Sequence, residues 1–125
     1  MERVRVLLVD DEVDFSRVFA RRLERRGLTV STAAGADEAV DVLKELPVNA
    51  VVLDIKMPGR DGIQLLGEIK RQYPQIAVVM LTAHAEADIV VSSLAMGACD
   101  YLLKPADVDE IVCKIKDAVL RHNNQ

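Results

Sequence analysis

Tryptophan is absent from the 125 residues, and aromatic side chains make up only 3% of them. A core must therefore be aliphatic, built from Val, Leu, Ile and Ala within a hydrophobic fraction of 50%. No apolar run approaches the roughly 20 residues that span a bilayer. The first segment is interrupted by Arg3, Arg5, Asp10, Asp11 and Glu12, so it does not read as a secretory leader. A soluble, cytoplasmic protein with no membrane partner is expected. An excess of basic residues is also missing: 16 Lys and Arg face 20 Asp and Glu, the net charge is −4 and the pI is near 5.1. That balance argues against direct nucleic-acid binding, which needs a basic face. Cysteine is scarce. Cys99 and Cys113 do not form a C-x-x-C pair and have no His close by in sequence, so two buried, reduced thiols are expected. The length suits one domain, large enough to bury a core without disulfide or metal staples.

What is present is an alternation of strand and helix from end to end. Val4 to Val9 is an almost unbroken β-branched and Leu run that stops at two aspartates, the pattern of a strand buried on both faces. Val13 to Arg26 is amphipathic, with Val18, Phe19 and Leu23 expected inward and five arginines largely outward. Gly27 stops it. Leu28 to Ala33 reads as a strand. Ala36 to Leu46 reads as a helix with Ala39, Val40 and Leu43 as its apolar stripe, and Pro47 follows. Ala50 to Leu53 is a fully apolar strand ending at Asp54. A loop over Ile55 to Asp61 holds Pro58 and Gly59. A helix from about Gly62 to Gln72 presents Ile63, Leu66 and Ile69.

Ile76 to Leu81 is the next buried strand, ending at Thr82. Ala87 to Met96 reads as a helix, and Asp100 to Leu103 as a short strand ending at Lys104-Pro105. Asp107 starts the last helix, with Glu110 three residues on as in a capping box. Val108, Ile111, Val112, Ile115 and Val119 form its inward stripe. Residues 1–121 make one domain, and 122–125 are a polar tail or the start of a linker, with His122 solvated. Strands alternating with helices of this length form a parallel sheet covered on both faces. Right-handed crossovers make it doubly wound. Five strands most simply take the order 2-1-3-4-5, an order known from such sheets rather than deduced from the pattern.

In such a sheet the strand C-termini lie on one edge, where ligands bind. The first strand ends at Asp10-Asp11, the third at Asp54, the fourth at Thr82 and the fifth at Lys104. Taken singly, each has an ordinary reading as a cap, a turn residue or a solvated lysine. Jointly they bring carboxylates, a hydroxyl and an ammonium to one cleft. Clustered carboxylates need a cation, and hard oxygen donors suit Mg²⁺. Asp54 is a candidate carboxylate nucleophile, Lys104 a point charge for a phosphoryl oxygen and Thr82 a hydrogen-bond donor. Phosphoryl transfer needs mainly positioning and charge neutralisation, which this set offers.

These residues resemble the receiver domains of two-component response regulators across essentially the whole chain. The matching segments are Leu7-Leu8-Val9-Asp10-Asp11-Glu12, Val51 to Gly62 around Asp54, Leu81-Thr82-Ala83 and Asp100-Tyr101-Leu102-Leu103-Lys104-Pro105. The resemblance implies a flavodoxin-like α/β fold with five helices. It implies that Asp54 accepts a phosphoryl group from a phosphohistidine on a sensor histidine kinase or histidine phosphotransfer protein. Asp11, Asp54 and the backbone carbonyl of Lys56 would ligate Mg²⁺ (or Mn²⁺), with Asp10 acting mostly through water. Lys104 would pair with the phosphoryl group, Thr82 would swing to it, and Tyr101 would turn inward behind Thr82.

Lys56 and His84 would tune the lifetime of the acyl phosphate. The Lys104-Pro105 bond is expected to be cis, and Gly62 to allow a tight turn. The output face would be the fourth helix, fifth strand and fifth helix, engaging an output domain or a second copy. One or two of Ile89, Val90, Val91 and Leu94 are expected to stay exposed there.

The expected role is a phosphorylation-switched signalling module, not a turnover enzyme. The alternative is an aspartate-nucleophile phosphatase or phosphotransferase on a related α/β fold. That chemistry usually needs a second carboxylate two residues after the nucleophile, where this chain has Lys56. A flavin-binding module would want a hydroxyl- and glycine-rich loop after the first strand, where Asp10-Asp11-Glu12-Val13-Asp14 stands.

Overall fold

A computed structural model describes residues 3–55, 62–83 and 87–123. The strands β1 (Arg5–Val9), β2 (Thr29–Ala33), β3 (Ala50–Leu53), β4 (Ala77–Thr82) and β5 (Asp100–Leu103) alternate with helices α1 (Val13–Arg25), α2 (Ala36–Glu45), α3 (Gly62–Gln72), α4 (Ala87–Ala95) and α5 (Val108–Asn123). All pairings are parallel, in the order β2-β1-β3-β4-β5. The segments Lys56 to Asp61 and His84 to Glu86 lie outside the described residues, so Lys56 and His84 carry no structural account.

The unbroken apolar runs occupy the middle of the sheet. β3 and β4 are buried at every residue, and β1 at all but Arg5. Alternate side chains feed two cores. Leu7, Val9, Val51, Leu53, Val78 and Met80 meet Ala39, Leu43, Leu65, Leu66 and Ile69 of α2 and α3. Val6, Leu8, Val52, Val79 and Leu81 meet Phe19, Leu23, Ile111 and Ile115 of α1 and α5. Each fully buried side chain of this kind contributes about 1.5–3 kcal/mol. The edge strands β2 and β5 are only partly covered.

The inward stripes differ from expectation at one position. Ser16, Phe19, Ala20 and Leu23 face inward on α1, while Val18 is 50% exposed. The stripe follows the i, i+3, i+4, i+7 spacing, and Val18 falls about 100° off it. On α5, Val108, Ile111, Val112 and Ile115 are buried as expected, and Val119 is half-buried. On α4, Val91 is 65% and Leu94 43% exposed and Val90 is half-buried, so two of the named apolar residues whose burial is described stay at the surface.

The thiols correct the sequence expectation. Cys99 is half-buried and Cys113 is exposed. Cys113 falls on the outer side of α5, between the inward positions Val112 and Ile115. His122 also departs from its expected solvation. Helix α5 continues to Asn123, and the His122 ring is engaged at 3.1 Å by Lys70 Nζ and at 3.5 Å by Cys99 Sγ.

Two glycines shape the chain near its turns. Gly27 takes φ 92° just past α1, a conformation that L side chains rarely adopt. Gly62 N donates to Ile55 O at 2.6 Å and brings α3 against the end of β3. A Cβ at Gly62 would overlap the Asp54 carbonyl oxygen and stand 2.7 Å from Ile55 Cα. Gly62→Ala should therefore cost about 1–3 kcal/mol through overpacking. A urea titration of the variant checks this, and a midpoint equal to wild type would contradict it.

Candidate functional site

Backbone hydrogen bonds between neighbouring strands hold the site residues at their stations. Asp10 N donates to Ala33 O at 3.0 Å, Asp54 N to Val9 O at 3.0 Å and Lys104 N to Thr82 O at 2.8 Å. Each bond carries the parallel ladder one step past a strand end, so Asp10, Asp54 and Lys104 emerge in register along one rim. Thr82 closes β4 and is fully buried. The Lys104-Pro105 peptide is cis, as expected.

Lys104 lies at the centre. Its Nζ is 2.5 Å from Asp10 Oδ2, 2.9 Å from Glu12 Oε1 and 3.6 Å from Asp54 Oδ2. Asp10 and Asp54 are buried, while Glu12 opens to solvent. One oxygen from each of these three carboxylates lies within 4.8 Å of the others. Asp11 is exposed and stands outside this tight group. Tyr101 is half-buried on β5 and packs against the α2–α3 side of the core.

Two participants escaped the sequence reading. Glu12 reaches the cluster because its N–H donates to Asp10 Oδ1 at 2.9 Å, an Asx-type turn that folds the chain back over the rim. The signal was the Asp-x-Glu spacing directly after a strand. Phe15 lies beneath Lys104, with Nζ 4.5 Å from the ring centroid, and its ring stacks on Phe19 at 5.2 Å. Such a cation–π contact contributes about 0.5–2 kcal/mol. Nothing local marks Phe15 for this, because the contact depends on where β5 delivers Lys104.

The arrangement matches known proteins along nearly its whole length. The family model for the response regulator receiver domain matches residues 6–116. The chain belongs to the response regulator receiver family. It is 38% identical over its full length to the DNA-binding transcriptional regulator NtrC of Escherichia coli (strain K12), of which it covers 27%. It is 38% identical over 94% of its length to a putative NtrX-like response regulator of Rickettsia bellii, covering 25% of that protein. The chain thus spans about a quarter of the curated relatives it matches.

Among solved structures, the receiver domain protein (CheY-like) of Methanospirillum hungatei JF-1 superposes with a TM-score of 0.92 at 29% identity, covering 98% of both chains. The receiver domain of NtrX from Brucella abortus gives 0.83 at 37% identity over 91% of this chain and 97% of that one. Receivers of this type are phosphoacceptor domains of two-component systems, and the phosphatase alternative is not favoured.

The receiver's acidic pocket fits a hard divalent ion. Its donors are carboxylate oxygens, the donor type that Mg²⁺ prefers. The Lys104 ammonium already shows the need for positive charge there, lying within ion-pairing distance of all three. Burial works against the charge on Lys104. Hydrogen bonds to Asp10 and Glu12, with the charges of Asp10 and Asp54, outweigh it and hold its pKa above the ordinary lysine value.

A raised lysine pKa stabilises the fold fully below the unfolded value of 10.5. The contribution fades as pH rises through the folded value. Lys104→Met leaves Asp10 as a buried, unpaired charge and should cost about 3 kcal/mol at neutral pH, the low end for a buried pair because Glu12 is open to water. Urea titrations with and without Mg²⁺ check this. The variant should recover more stability from the ion than wild type does, and should lack the wild type's alkaline loss.

Proposed function

We propose that Asp54 is the phosphoacceptor of this receiver, taking a phosphoryl group from a partner phosphohistidine in a Mg²⁺-dependent reaction. The observation that carries this is the buried Asp54 carboxylate at a strand end, 3.6 Å from Lys104 Nζ and in a group with two further carboxylates. An Asp54 carboxylate oxygen attacks phosphorus, the O–P bond forms, and the N–P bond to the donor imidazole breaks. Bound Mg²⁺ would neutralise charge on the carboxylates and the phosphoryl oxygens. Asp10, Asp11 and Asp54 would hold it with the Lys56 carbonyl, and Glu12 adds an oxygen donor close by.

Lys104 has a second task. Before phosphorylation it balances Asp10 and Glu12. A phosphoryl group on Asp54 adds negative charge beside it and draws the ammonium over. Thr82 donates to a phosphoryl oxygen, and Tyr101 follows it inward. These differential contacts bias a two-state surface made of α4, β5 and α5. Val91, Leu94 and Leu103 are exposed large apolar side chains on α4 and β5, and they suit an output domain or a second copy.

Lys56 and His84 set the lifetime of the acyl phosphate in this reading. The partners are a sensor histidine kinase or a histidine phosphotransfer protein. The chain works in the cytoplasm and catalyses only its own phosphorylation and dephosphorylation. No helix among the described residues is long and apolar enough to cross a membrane.

Acetyl phosphate with Mg²⁺ should label the wild type and leave Asp54→Asn unlabelled, as read by intact mass. Undiminished labelling of the Asn variant would move the acceptor to another residue. Lys104→Ala should still bind Mg²⁺ but fail to switch. Amide NMR shifts on addition of Mg²⁺, then of acetyl phosphate, separate the two events. A full set of switch-like shifts in α4 and β5 of the variant would refute the role given to Lys104.

A further inference from the structure

The C-terminal ends of α3, α4 and α5 gather at the sheet edge opposite the acidic rim. Cys99 lies there, just before β5, with its N–H donating to Val78 O at 2.7 Å. A cleft of about 450 Å³ opens beside it, lined by Lys70, Gly97, Cys99, Arg121 and His122 among others. Lys70 Nζ makes three contacts, to Pro74 O at 3.3 Å, Ile76 O at 2.9 Å and His122 Nε2 at 3.1 Å. An ammonium has three donors and no acceptor, so Nε2 must accept. The proton of the neutral imidazole then resides on Nδ1, where the Ala118 backbone carbonyl and Cys99 Sγ, at 3.5 Å, share it. The sulfur is therefore one of two acceptors at the end of a relay that begins at a cation.

We propose that Cys99 is a nucleophilic modification site for small anionic disulfides, activated by Lys70 through His122. An N–H aimed at sulfur and a nearby ammonium both favour the thiolate, which is the attacking form. The surrounding charges agree. Among the described residues, Lys70 and Arg121 line the cleft and no carboxylate does. Asp117, one turn back on α5, pairs with Arg121 at 3.3 Å. Burial first, then the charge of Lys70, hold His122 below its usual range against a hydrogen bond to the Ala118 backbone, so the ring is neutral at pH 7. Burial lowers the pKa of Lys70, and the charge of Cys99 raises it. In the reaction the Cys99 thiolate attacks one sulfur of the disulfide. A new S–S bond forms, the old one breaks, and the leaving thiolate carries away the electron pair. The thiol proton goes to solvent.

The exposed Cys113 is an internal control. The probe is 5,5′-dithiobis(2-nitrobenzoate), a dianionic disulfide whose release is read by absorbance. Cys113→Ser reports on Cys99, and Cys99→Ser on Cys113. Half-buried Cys99 should react faster than exposed Cys113 at pH 7, with the lower rate–pH midpoint of the two. A midpoint one unit lower corresponds to about tenfold more thiolate at pH 7. His122→Ala in the Cys113→Ser background should slow the reaction and raise that midpoint. His122→Gln, which keeps bulk and hydrogen bonding, guards against a mere packing effect and should raise the midpoint as well. Reaction of Cys99 slower than Cys113, or a midpoint that neither His122 variant moves, would overturn the proposal.

Discussion

The site depends on charge balance at one rim of a parallel sheet. Asp10 and Asp54 are buried carboxylates, and buried carboxylates persist only when something positive stands among them. In this structure that something is Lys104, carried in by β5 from the far side of β4 and reaching Asp10 beyond Asp54. The lysine links the two halves of the sheet electrostatically. The proposed phosphoryl group on Asp54 would add its charge beside Lys104, at the end of β5.

The fold makes that link short. The strands β1, β3 and β4 are buried along nearly their whole length, so their registers are held by both cores. The ladder bonds past the strand ends then leave Asp10, Asp54 and Lys104 little freedom of position. The edge strand β5 is less covered. A buried centre and a less covered edge are what the proposed switch, from the middle of the sheet to its margin, would use.

Lys104 has a second restraint in Phe15, which ties it to the first helix through the Phe15–Phe19 stack. The face opposite the rim carries a separate polar network, Lys70, His122 and Cys99, assembled from α3, α5 and the approach to β5. The two networks share no residue. They lie at opposite ends of β5, the strand that both the proposed switch and the thiol site adjoin.

Much of this was legible in the order of the amino acids. Period and apolar runs marked every strand and helix to within a residue or two at their ends, and polar residues at the strand ends pointed to Asp10, Asp54, Thr82 and Lys104. Those signals are local, because side-chain direction repeats every two residues in a strand and every 3.6 in a helix. What only the tertiary structure decided were the direction of a turn, the phase of helices and contacts between segments distant in the chain. Glu12 rather than Asp11 completes the tight acidic group, because a turn closed by Asp10 directs it there. Phe15 supports Lys104, Val18 faces water, Cys113 lies on the open side of α5, and His122 is drawn into a polar network. The turn after β1, helix phase and strand order set these, and they are fixed together only when two cores pack against one sheet.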